Sequence, residues 1–331
     1  MIRIKHCFRI TLAAGVVLAA AASPGAAQQS YPARPVHMVL PMPAGGAMDA
    51  LARALGQKFQ ERTGQALVVE NRPGGNTLNA ANACKNASPD GYTVCLLTTS
   101  SISINPELYK KLPYQPERDF APVTQLAVAN TIVILSKKVP ASNLAELVKY
   151  SQDNPDKLNY ASFGVGGDSH LVMEWLKKKT GLKATHIPYR GGAPAMMAFE
   201  AGNVQMMALI VGNANLPERI AKGEVTGLLV PGDQRIPQAP NVPTFKEAGL
   251  PTFGSRTWFG VFAPAGTPKP VLDKIQGEIN AIINEPAFRD RMLTPHGFNP
   301  VGNKPDDFKA FLMKDKDNAK ELVEISGVRI E

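Results

Sequence analysis

Runs of apolar, β-favouring residues alternate with amphipathic helical patterns along almost the whole chain, and glycine-rich turns separate many of them. This alternation constrains the fold more than any other feature. Strands joined by helical crossovers form a parallel sheet covered by helices. The strand "VHMVLPM" (36–42) leads into "DALARALGQKFQERTG", where Leu51, Leu55 and Phe59 recur every four residues and Gly64 stands at the helix stop. The strand "ALVVEN" (66–71), a helix within "GGNTLNAANACKNA" and the strand "YTVCLLTT" (92–99) follow. The order restarts at "TIVILSKK" (131–138) and continues through "LNYASFG" (158–164), "KATHIPY" (183–189) and "VQMMALIV" (204–211), with helical patterns between. Strands are also expected in "VTGLLVPG" and "FGSRTWFGVFAPAG", then the helix "PKPVLDKIQGEINAIINEP" and two more near 286–293 and 305–325.

Two α/β units account for this order. Residues 28–126 with 253–331 form one domain and 127–252 the other. Two crossing segments serve as a hinge, and the closing helices return to cover the first unit. A single larger sheet is the alternative.

The first residues carry Arg3, Lys5 and Arg9, then the apolar run "ITLAAGVVLAAAA", then small residues with Gly25 and Ala27 at the −3 and −1 positions of a cleavage site. This order reads as a secretory signal over residues 1–27, placing the mature chain in the periplasm. An N-terminal membrane anchor is the alternative, disfavoured by the shortness of the run. Removing 27 of 331 residues takes away three basic and no acidic groups, so the formal net charge falls from +8 to +5. The longest basic run is "KKK" at 177–179, without interleaved aromatics, so nucleic-acid binding is not expected. Cys84 and Cys95 flank an "SPDG" turn; an exported chain can bridge them, or they are two free core thiols.

The turn "PAGGAMD" sits at the carboxyl end of the first strand, where ligands of open α/β sheets bind. Glycines let backbone N–H groups face a cavity, and the helix that follows adds its unpaired N–H groups and the positive end of its dipole. Together they form a nest for a carboxylate or phosphate without any charged side chain. An ordinary tight turn is the alternative. "YASFGVGGDSH" (160–170) repeats the arrangement, with Ser162, Ser169 and the amides of Gly166 to Ser169 available. "IPYRGGAPA" (187–195), with Arg190 and Gly191, is a third such turn, and "TTSSIS" (98–103), with Thr99 and Ser100, is a hydroxyl-rich strand end. His170 either donates to a ligand or braces its helix. Met196, Met197, Met206 and Met207 read as core.

Rival chemistries lack their motifs. "GVGGDS" misses the third glycine of a dinucleotide fingerprint and the acidic residue about 20 positions on. No phosphate loop and no G-x-S-x-G elbow occurs. The five histidines have no helix-paired metal spacing. No catalytic set, metal or cofactor is therefore expected.

The stretches "VHMVLPMPAGGAMDALAR", "VVENRPGGN", "SPDGYTV", "LNYASFGVGGDSHL", "HIPYRGGAPAM", "VPTFKEAGLP" and "WFGVFAPAGTPKPV" together resemble the extracytoplasmic substrate-binding receptors of tripartite tricarboxylate transporters, the Bug-type receptors. The resemblance covers nearly the whole mature chain. It implies a type II periplasmic-binding-protein fold, two α/β domains joined by crossing strands, with the ligand in the cleft. It further implies that Ala44, Gly45, Gly46, Ala47 and Asp49 clasp a carboxylate together with Ser162, Gly164, Gly167, Asp168 and Ser169. Met42 and Met48 would suit an apolar or aromatic body. Gln205 stands where the family usually has Asp, which argues against an amino-acid ligand. Asp168 replaces a common Thr or Ser and is expected to face the helix start and solvent. The expected function is reception of a small aromatic or aliphatic carboxylate by a monomer that hands it to membrane subunits of a transporter. An exported enzyme acting on a small acid, and a receptor used for signalling, are the alternatives.

Overall fold

The computed structural model describes residues 31–252 and 256–331. The expected signal, 1–27, lies outside the described residues, as do residues 253–255 of the expected strand near 253–266. In chain order the elements are β1 (Val36–Leu40), α1 (Ala47–Thr63), β2 (Leu67–Asn71), α2 (Leu78–Lys85), β3 (Thr93–Thr98), α3 (Asn105–Leu108), α4 (Pro116–Asp119), β4 (Phe120–Ala129) and β5 (Thr131–Ser136). Then come α5 (Leu144–Asp153), β6 (Asn159–Ser162), α6 (Asp168–Thr180), β7 (Thr185–Pro188), α7 (Gly192–Ala201), β8 (Met206–Ile210), α8 (Leu216–Ala221) and β9 (Val225–Leu229). The chain closes with β10 (Trp258–Pro264), α9 (Lys269–Ile283), α10 (Pro286–Phe288), β11 (Phe298–Pro300) and α11 (Pro305–Ser326). Among the described residues no helix is long and apolar enough to cross a membrane.

The strands form two mixed sheets, ordered β11-β4-β10-β3-β1-β2 and β7-β6-β8-β5-β9. The expected parallel pairing holds for β1 with β2 and β3, and for β6 with β7 and β8. It fails for β4, β5, β9, β10 and β11, which pair antiparallel. Of these, β4, β5, β9 and β10 flank the two places where the chain passes from one sheet to the other. No strand pattern marks β4 in the sequence, because "FAPVTQLAVA" interrupts its apolar residues with Pro122 and Gln125. Pro122 sits where the β4–β10 ladder shifts register, between Val261 and Phe262, so its missing N–H is absorbed there.

Helix α1 shows why the first unit packs as it does. Leu51, Leu55 and Phe59 are buried against Val36, Met38 and Leu40 of β1. Each such side chain contributes roughly 1.5–3 kcal/mol by leaving water. Gly56 permits contact with the neighbouring strand, since a Cβ there would lie 2.7 Å from the Leu67 carbonyl oxygen. Gly64 ends the helix in the left-handed region at φ 74° and donates its N–H to Gln60 O. Helix α9 packs on the same core through Ile275, Ile279 and Ile282. Helix α11 runs from one core to the other: Phe308 joins Trp258 and Phe262, whereas Ala319, Leu322 and Val323 join the core around Trp175 and Tyr160.

A single residue, Asn130, separates β4 of the first sheet from β5 of the second. It is buried and fully paired. Its N–H donates to Gly297 O at 2.7 Å and its carbonyl accepts from the Val211 N–H at 2.9 Å. Its Nδ2 donates to Gln238 Oε1 at 3.2 Å and its Oδ1 accepts from Asn299 Nδ2 at 2.8 Å. The crossing point is thereby tied to segments on both sides of it. Cys84 and Cys95 are joined in a disulfide between α2 and β3, deciding the alternative left open by the sequence.

Candidate functional site

Three of the glycine turns, together with the "RPGGN" turn after β2, face one cavity of about 470 Å³. Both sheets contribute. Gly45 from the first unit and Gly167 from the second line the same space, as do Met42, Ala44, Gly46, Ala47 and Met48. Ser100, Gly164, Asp168, Ser169, Arg190 and Gly191 complete the expected residues found there.

In the first turn Gly45 adopts φ 90°, and its N–H donates to Asp49 Oδ2 at 3.0 Å. Asp49 also accepts from Arg53 Nε at 3.0 Å and from Asn71 Nδ2 at 2.9 Å, and the same Asn71 amide donates to Met42 O at 3.0 Å. Burial works to raise the Asp49 carboxyl, but the bonds from Arg53, Gly45 and Asn71 outweigh it and hold it below its ordinary value. Asp49 lines no part of the cavity. It braces the turn from behind, where a residue in the first turn of α1 can reach back to the loop. Gly46, which precedes α1, has an open side: a Cβ there would meet nothing within 4 Å.

The second turn spends its hydroxyls internally. Ser162 is fully buried, with Oγ 2.6 Å from His186 Nε2 and accepting from the Gly164 N–H at 3.2 Å. Ser169 Oγ accepts the Phe163 N–H at 3.0 Å. His170 Nδ1 accepts the Gly166 N–H at 2.9 Å, and the His170 ring stacks on His186 with centroids 3.8 Å apart. Burial, ahead of the His186 charge, pushes His170 down to about 4, which keeps Nδ1 free to accept. Gly166 packs toward the far side, where a Cβ would lie 2.0 Å from Leu108 Cδ2. Ser162, Gly166 and His170 therefore shape the turn without lining the cavity. The Ser162–His186 pair has the reach of a nucleophile and base but is sealed from the cavity.

Asp168 departs from expectation. It turns toward the cavity rather than the solvent, and its Oδ1 accepts from Ser100 Oγ of the first unit at 3.3 Å. The approach of the "TTSSIS" strand end covers the helix start that was expected to be open. Burial raises its carboxyl to about 6, against the bond from Thr257, aided by the Asp315 charge and opposed by the Ser100 bond.

Two further expected residues lie elsewhere. Thr99 Oγ1 donates to Arg256 O at 3.1 Å and accepts from the Trp258 N–H at 2.9 Å. Gln205 precedes β8, the strand that reaches the cavity through Ala208 to Ile210, and it bonds Asn159 N and Gly202 O instead. Its neutral side chain thus bears on strand pairing, not on the ligand.

Several lining residues escaped the sequence reading. Met197, expected in the core, is 64% exposed and faces the cavity, whereas Met196 is buried in the core as expected and also borders the cavity. Met206 and Met207 are core as expected. Phe163 and Tyr189 stand inside two of the quoted glycine turns without having been singled out, and Asn213 carried no motif. Gly74, Gly75 and Asn76 did carry one, since "RPGGN" follows a strand and precedes a helix like the other turns. Across the cavity mouth the units touch closely: a Cβ on Gly191 would lie 2.8 Å from Pro43 Cγ, and one on Gly167 would lie 3.2 Å from Asn76 Oδ1.

Residues 51–328 match the family described as tripartite tricarboxylate transporter family receptor. A UPF0065 protein of Bordetella pertussis is 33% identical over 316 residues, covering 96% of each chain. Among solved structures, the periplasmic binding protein BugD is 33% identical with a TM-score of 0.84, over 91% of this chain and 100% of that one. An R. palustris protein solved with adipate is 28% identical with a TM-score of 0.84, over 90% of this chain and 99% of that one. The fold of this chain, two α/β domains with mixed sheets, is that of these periplasmic binding proteins.

Proposed function

Because this chain belongs to the tripartite tricarboxylate transporter receptor family, whose members are periplasmic solute-binding receptors, we propose that it binds a small organic carboxylate between residues 28–126 with 253–331 and residues 127–252. It delivers that ligand from the periplasm to the membrane subunits of a transporter. The observation that carries this reading is the convergence of glycine turns from both sheets on one cavity. The start of α1 lines it through Gly46, Ala47 and Met48 with no charged side chain among them, so the positive end of the helix faces the space, while Asn213 holds the Ala47 N–H at 3.3 Å. Met42, Met48, Met196 and Phe163 surround the rest of the ligand with apolar surface. Closure of the two domains about the Asn130 crossing and the return near residue 257 buries the ligand and makes the face that the partner reads.

A thermal-shift panel of aromatic and aliphatic acids tests this. At least one class raises the melting temperature of the protein, and Gly46→Val removes the shift while leaving the unliganded melting temperature in place, because the added side chain enters open space. Failure of every acid to shift the wild-type protein overturns the reading.

A further inference from the structure

From the arrangement of the second turn we infer that the cavity selects a monocarboxylate bearing a hydrogen-bond donor, a hydroxyl or a protonated nitrogen, on an apolar body, and that Asp168 is the residue that selects it against dicarboxylates. The inference rests on the receptor reading above and specifies its ligand.

The two poles of the cavity differ in chemistry. At the first, the start of α1 lines the cavity through Gly46, Ala47 and Met48 with no acidic side chain among them, and the positive end of its helix dipole suits an anion. At the second, the hydroxyls that would have held another anion are already engaged, Ser162 with His186 and Ser169 with the Phe163 amide. To the backbone at the start of α6 this turn adds the Asp168 carboxylate, an acceptor. Among the described residues that line the cavity, Asp168 is the acidic side chain and Arg190 the basic one, and Arg190 sits exposed in the turn after β7. The charged group acting on Asp168 is another acid, Asp315. A second carboxylate on the ligand would meet the Asp168 charge in a largely apolar cavity, whereas a donor would pair with Asp168. Ser100 donates to one Asp168 oxygen at 3.3 Å and Thr257 also bonds the carboxylate; of its roughly four acceptor sites these leave capacity for a guest. The R. palustris neighbour solved with adipate holds a dicarboxylate, so this chain would differ from it in specificity while sharing its fold.

The test is titration calorimetry at about pH 8, where Asp168 is ionised, with two matched series. One is benzoate, para-hydroxybenzoate and terephthalate; the other is hexanoate, ω-hydroxyhexanoate and adipate. The hydroxy acid should bind about tenfold or more tightly than the diacid of the same series in at least one series, the scale of a like-charge contact relieved. Asp168→Asn and Asp168→Ser should narrow that ratio to about threefold or less, chiefly by strengthening the diacid. Unliganded melting curves verify that the variants fold. A diacid that binds as tightly as the hydroxy acid in both series overturns the inference, as does a ratio unchanged in both variants. If none of the acids binds the wild-type protein, the carboxylate reading itself falls and the inference with it; if acids bind without the expected order, only the inference falls.

Discussion

Asn213 Oδ1 accepts the Ala47 N–H at 3.3 Å, so a side chain from the segment after β8 caps the first residue of α1 across the cavity. The turn that holds it keeps Ala214 and Asn215 both at φ 51°, a left-handed conformation that costs non-glycine residues roughly 1–2 kcal/mol each. The expense is consistent with a position held for a purpose. Asn213→Ala should therefore weaken the closed arrangement by about 1 kcal/mol, the scale of a helix cap, and raise the ligand Kd about fivefold. Calorimetry with the best acid from the panel measures the affinity, and small-angle scattering reports whether the variant is more open. An unchanged Kd would show that the bond has no part in closure.

Much of this architecture is legible in periodicity and turn chemistry. The strand–helix–strand order predicted β1 to β3 and their crossovers, and the glycine rule found three of the turns that line the cavity. The same rule applied evenly would have included Gly74 and Gly75. What escaped depended on distance in three dimensions. Asn213 carries no local signature, because its partner lies 166 residues away. Asp168 could not be oriented from its position at a helix start, since Ser100 of the other unit covers that start. Met197 has the period of a core residue but lies on the side of α7 that meets the cavity. Gln205 and Thr99 sit beside the right elements at the wrong end or face.

The Cys84–Cys95 bridge closes a loop of sequence separation 11 and lies in a buried cluster with Leu97 and Trp258. Chain-entropy reasoning gives about 3 kcal/mol for a loop of this length. Replacing both cysteines with Ala should lower the unfolding free energy by about that amount in urea titrations, with an added contribution from the lost packing. Ligand affinity should change by less than about twofold, because neither cysteine lines the cavity. A large loss of affinity in a folded double variant would contradict the placement of the bridge as scaffold.

His170 links the second turn to pH. The neutral imidazole accepts the Gly166 N–H, and protonation of Nδ1 would turn that acceptor into a donor facing a donor. Burial and the neighbouring His186 and Lys177 charges lower its pKa to about 4, while Glu174 opposes them. In the unfolded chain the ring titrates near its ordinary 6.5. Between these values the unfolded state binds more protons, so the stability from neutral His170 is complete above about pH 6.5 and is lost as pH falls through about 4. Asp168 acts with the opposite sign: its pKa is raised to about 6, so its burial penalty is relieved as pH falls through the same window. The bulk pH profile thus sums opposing effects, with His186 also lowered and Asp315 also raised by burial, and variants separate the contributions of His170 and Asp168. His170→Asn, whose Oδ1 retains an acceptor for the Gly166 amide, should lose stability less steeply than the wild type between about pH 6.5 and 4. Asp168→Asn should lose it more steeply. Urea unfolding at intervals across that range measures both slopes, and parallel profiles for His170→Asn and the wild type would mean that His170 does not couple the turn to proton binding.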